Sequence, residues 1–93
     1  MSGEKVTASV VIKNRLGLHI RPSRHFAALA KSWDAEVTVR NQDRAALADS
    51  QLDLLMLLAG EGALLEITAT GPQAAEAVES LVKLVDDGFG EGD

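Results

Sequence analysis

At 93 residues and without cysteine, the chain can close one modest core held by packing alone, which excludes disulfide and thiolate-metal frameworks. Hydrophobic residues at 46% and charged ones at 25% are ordinary globular usage, while a net charge of -5 and an aromatic content of 3% exclude a broad nucleic-acid-binding surface. The charge is unevenly laid out, with six basic residues against one acidic residue over 1–33 and three against thirteen over 34–93. The basic stretch reads as a local anion or partner site. The longest apolar run, Leu54 to Ala59, is too short to span a bilayer, and no apolar stretch follows the Met1 to Lys5 start. These features predict one soluble, cytoplasmic, monomeric domain over residues 1–93 with no membrane insertion. Only the acidic, Gly-rich tail, from Asp86 and chiefly over 88–93, is expected to lack structure.

In chain order, Val6, Ala8, Val10 and Ile12 alternate with Thr7 and Ser9, the period-2 pattern of a half-buried strand. Loop-type residues follow, and from Pro22 the apolar positions Phe26, Leu29, Ala30 and Trp33 take helical spacing, so helix one begins just after His19. Ala35, Val37 and Val39 alternate with Glu36, Thr38 and Arg40 as strand two. Asn41-Gln42-Asp43 is turn chemistry before a weak strand three near Arg44 to Ala48. Ser50-Gln51-Leu52-Asp53 has the Ser-x-x-acid form of a helix start, predicting helix two to about Ala59, stopped by Gly60-Glu61-Gly62. Ala63, Leu65, Ile67 and Ala69 mark strand four. Gly71-Pro72 opens the last helix, striped by Ala74, Ala77, Val78, Leu81, Val82 and Val85. The order βαββαβα predicts an α+β fold, a four-stranded antiparallel sheet covered on one face by helices.

Gly17-Leu18-His19-Ile20-Arg21-Pro22 is the stretch that best carries chemistry. It sets an imidazole at the entry to helix one, where unpaired backbone N–H groups and the helix dipole favour an anion. Ile20 and Pro22 support that helix start, and Pro22 loses nothing by lacking an N–H there. Arg21 adds a fixed positive charge. Histidine can present one unprotonated ring nitrogen as a nucleophile near neutral pH. Read alone, so short a motif also fits a capped surface helix beside an unrelated arginine.

The motif resembles the active site of the HPr phosphocarriers of the phosphoenolpyruvate phosphotransferase system, and the element order is similar to their open-faced β-sandwich. Ser50 falls 31 positions after His19, where that family has its regulatory serine at the start of its second helix. The likeness runs from about Lys5 to Phe89. Asp34 to Val37, Ala48 to Ser50, Leu54 to Leu57, Ala69 to Gln73 and Gly88-Phe89 are similar to the nitrogen-branch members. The resemblance implies a phosphocarrier, not a free-standing enzyme. His19 would be phosphorylated on Nδ1, with Arg21 stabilising the phosphate. Enzyme I, charged by phosphoenolpyruvate, would be the donor, and a histidine of an EIIA-type domain the recipient. Helix two would lie beside the histidine and contact partners. A sugar-branch carrier, a regulatory binding protein and a small-molecule sensor of similar build are the competing readings. The chain departs from the sugar-branch pattern at Asp53, where a Gly is usual, at Ser23 in place of Ala, and at Arg24 in place of an apolar residue. Ser50 is accordingly expected to act mainly as a helix N-cap.

Two further features bear on function. Leu54, Leu57 and Leu58 fall on one side of helix two and Leu52, Leu55, Met56 and Ala59 on another, more apolar surface than a domain this small can bury. The second side is expected to dock partners through Leu52 and Leu55, with Arg24 beside them; a fully wrapped helix is the alternative. His25 lies off the apolar stripe of helix one and reads as a solvated position. Two histidines without cysteine make no ordinary zinc site, and His19 has no acid nearby to form a triad, so neither metal nor cofactor is expected.

Overall fold

The computed structural model describes residues 4–90. The period-2 segments form β1 (Lys5–Val11), β2 (Glu36–Asn41), β3 (Arg44–Leu47) and β4 (Leu64–Thr70). The helical segments form α1 (Ile20–Lys31), α2 (Gln51–Leu55) and α3 (Ala74–Asp86), followed by a 3-10 turn at Gly88–Gly90. The sheet order is β1-β4-β2-β3, antiparallel throughout, with Ala8 opposite Ile67 and Ile67 opposite Val39. Strand alternation then fixes the two faces. Val10, Leu65, Ile67, Ala69, Val37, Val39 and Ala46 turn inward against Phe26 and Ala30 of α1, Leu54 of α2, and Ala77, Leu81 and Val85 of α3. Thr7, Ser9, Thr38, Arg40, Glu66 and Thr70 line the other, exposed face. The fold is the open-faced α+β sandwich that the pattern predicts, and no described helix is long and apolar enough to cross a membrane.

Three expectations about detail fail. Helix two does not reach Ala59 but ends at Leu55. The N–H groups of Leu57 and Leu58 bond only three residues back, to Leu54 and Leu55, and Leu58 adopts a left-handed φ of 53°. Helical phase is therefore lost after Met56, and the next residues alternate: Leu57 and Ala59 are buried while Leu58, assigned to the core side, is 68% exposed. Trp33 belongs to the helix-one stripe in sequence but lies just past the end of α1, half-buried, where its Nε1 donates to Ser80 Oγ of α3 at 2.8 Å. The tail is ordered further than its composition suggests. Asp86 ends α3 and pairs with Lys13, and Phe89 is buried at 4% exposure. Burial of that phenyl ring outweighs the flexibility of Gly88 and Gly90. Residues 91–93 lie outside the described part.

Candidate functional site

Ile12 ends the inward run of the first strand, and the chain then turns through Asn14 to Leu18 into α1. Gly17 is required in this turn. Its φ is 70°, and a Cβ there would lie 2.5 Å from Ala59 O and 2.6 Å from Gly60 Cα. The close approach lets Leu18 N–H donate to Ala59 O at 2.9 Å, which pins the loop before the histidine to the loop after α2. Leu18 is buried and anchors the turn.

His19 is the N-cap of α1, extended at φ -86° and ψ -165°, partly exposed, and its side chain makes no capping hydrogen bond. The first helical bond runs from Ser23 N–H to His19 O at 2.9 Å. Ahead of it stand only the N–H groups of Ile20 and Arg21 and the N–H-less Pro22, so two backbone donors mark the positive end of the dipole beside the imidazole. No acidic residue lies in the first turn. Arg21 lies exposed in the first turn, Arg15 and Arg24 are exposed before and after it in the chain, and Pro22 is buried. The arrangement suits a dianionic group on the ring, since an anion at a helix start gains about 0.3–2 kcal/mol before the arginines add theirs. His25 is exposed on the same helix, as read from the sequence.

The second helix meets this site through one hydrogen bond, Gln51 Nε2 donating to Ile20 O at 3.0 Å. Leu52 stands exposed at 68%, whereas Leu55 is half-buried. Ile20, the first residue of α1, and Met56, one turn on from Leu52, are exposed as well, at 61% and 59%. Ser50 is the N-cap of α2, accepting from Asp53 N–H at 3.2 Å, and the Asp53 carboxylate accepts from Leu47 N–H at 3.2 Å. No cluster of three or more potential metal ligands exists among the described residues.

The family model described as the PTS HPr component phosphorylation site matches residues 6–87. The chain is 41% identical over 87 residues to the phosphocarrier protein NPr of Escherichia coli K12, spanning 92% of this chain and 97% of that one. It is 38% identical over 85 residues to the phosphocarrier protein HPr of Neisseria meningitidis, spanning 91% and 96%. Among solved structures, an HPr from Thermoanaerobacter tengcongensis superposes with a TM-score of 0.88 at 29% identity, covering 92% of this chain and 97% of that one. With the fold, the sequence and a histidine at the N-cap position of α1 in agreement, the chain belongs to the HPr family of phosphotransferase-system phosphocarriers.

Proposed function

We propose that His19 is the phosphoryl acceptor and that the chain carries the group from phosphorylated Enzyme I to a histidine of an EIIA-type domain. The supporting observation is the start of α1: an imidazole at the N-cap with no side-chain capping bond, two backbone donors, Arg21 and no carboxylate in the first turn. The lone pair on Nδ1 attacks phosphorus in line, forming one N–P bond as the donor's N–P bond breaks. The donor histidine takes back its electron pair. Arg21 and the Ile20 and Arg21 N–H groups meet the oxygens in flight, so the carrier supplies positioning and charge and is turned over by its partners. Arg24, Leu52, Leu55, Ile20 and Met56 form the surface on which those partners dock, and Ser50 serves as a cap.

The likeness to NPr and the matching Asp34 to Val37 and Ala69 to Gln73 segments favour the nitrogen branch over the sugar branch. Incubation with Enzyme I and phosphoenolpyruvate tests the carrier role. An adduct at His19 that is labile in acid and stable in alkali is expected; no adduct, or an acid-stable one, would overturn it. Faster discharge to a nitrogen-branch EIIA domain than to a sugar-branch one is expected, and the reverse order would move the chain to the other branch.

A further inference from the structure

Among the described residues, Asn14 and Ser23 are the buried polar ones, each at 0% exposure, and both spend a donor on the chain immediately before His19. Asn14 Nδ2 donates to Gly17 O at 2.9 Å, while Asn14 O accepts from Gly17 N–H at 3.2 Å, so one residue grips Gly17 at both ends. Ser23 Oγ donates to Leu18 O at 3.1 Å. That carbonyl belongs to the peptide whose nitrogen is His19's own. Pro22, four residues on, has no N–H to offer it, and Leu18 is buried, so without Ser23 a carbonyl would stand unpaired in an apolar setting. Burying a polar side chain is costly and persists where it fixes a unique arrangement. Here the two buried polar side chains hold two consecutive peptide planes, Gly17–Leu18 and Leu18–His19, from opposite sides: one from the loop, one from within the helix.

We infer that Asn14 and Ser23 are positioning residues for phosphoryl transfer, holding the two peptide planes ahead of His19 so that the ring keeps one orientation at the start of α1. The inference rests on His19 being the phosphoryl acceptor. A ring displaced by a fraction of an ångström meets the incoming phosphorus off line, whereas the docking surface, formed by other residues, is unchanged. The signature is therefore a loss in transfer at saturating Enzyme I with its KM preserved.

The variants are Ser23→Ala, which removes the donor, Ser23→Thr, which keeps the hydroxyl, and Asn14→Asp, which keeps the shape and loses the amide donor. Ser23→Cys, near-isosteric with a weaker donor, takes the place of Ser23→Ala should the latter not fold. Ser23→Ala and Asn14→Asp are expected to transfer roughly tenfold more slowly at saturation, with KM for Enzyme I within about twofold of the parent, and Ser23→Thr to recover most of the rate. In NMR spectra the His19 ring signals should shift or broaden in both donor-less variants. Parent-like transfer and ring signals, with loss confined to the thermal midpoint, would overturn the inference and leave the pair a purely structural device. If the parent itself takes no phosphate, it is the acceptor role of His19 that fails, and the ring signals still decide whether the pair positions it.

Discussion

At the start of α2, Ser50 takes the Asp53 N–H, and the Asp53 carboxylate takes the Leu47 N–H of β3, so this helix start is capped and tied to the sheet from within the chain. At the start of α1, His19 makes no capping bond, the first turn holds no carboxylate, and the nearby charges are arginines. Every helix start leaves its first N–H groups without an intrahelical acceptor, and in α1 one of those positions is Pro22, which has no N–H. One start is closed on itself and contributes stability; the other is left open, so that its donors and dipole are available to an anion that comes and goes. A five-residue helix such as α2 needs its cap to persist, whereas α1, with twelve residues packed through Phe26, Ala27 and Ala30, does not.

The sharpest way to break this comparison is at the imidazole. His19→Ala should abolish phosphoryl uptake from Enzyme I and leave the fold intact, because the residue sits at a surface helix start and caps nothing. His25→Ala should retain uptake. Uptake by the first variant and not by the second, in the same assay, would transfer the role to His25. Next in size is Arg21→Ala, whose guanidinium, in the proposed mechanism, meets charge only when phosphate is present or in flight. A fall of roughly 10- to 100-fold in transfer rate with little change in thermal midpoint is expected, and equal rates at matched ionic strength would remove Arg21 from the mechanism.

Leu52→Glu should raise KM for Enzyme I or for the recipient domain by about tenfold, since the side chain is exposed on α2 and contributes little to the core. Loss of folding with unchanged affinity in the folded fraction would make the residue part of the core. The smallest effect belongs to the closed helix start. Ser50→Ala should cost about 0.5–2 kcal/mol, read as a few degrees in thermal midpoint, with transfer through His19 nearly unchanged. A phosphate on Ser50 would face Asp49 and Asp53, so a serine kinase should modify it poorly. Substantial phosphoserine at position 50, found by mass spectrometry of protein from its native cells, would show that the acidic neighbours give no protection.

The strands and long helices were legible in the sequence because Val10, Ile67 and Leu81 recur at the periods their elements demand. The end of α2 was not. Leu57, Leu58 and Ala59 are all apolar, so nothing in residue type marks where helical phase gives way to alternation; the left-handed turn at Leu58 decides it. The motif around His19 carried its own placement through Gly17 and Pro22, which fix the turn and the helix entry. Burial of Asn14 and Ser23 was illegible, as polar residues near a loop ordinarily face water. A hint lies in Pro22, which cannot serve the carbonyl four residues before it and so calls for another donor.

Trp33, the one tryptophan in the chain, is half-buried past the far end of α1, a helix about 18 Å long that begins next to His19, and its indole hydrogen bond ties that end to α3. Its fluorescence therefore watches the seam between the two long helices. Emission should change when that seam opens on melting and stay level while phosphate is gained or lost, so a single optical signal separates damage to the scaffold from events at His19.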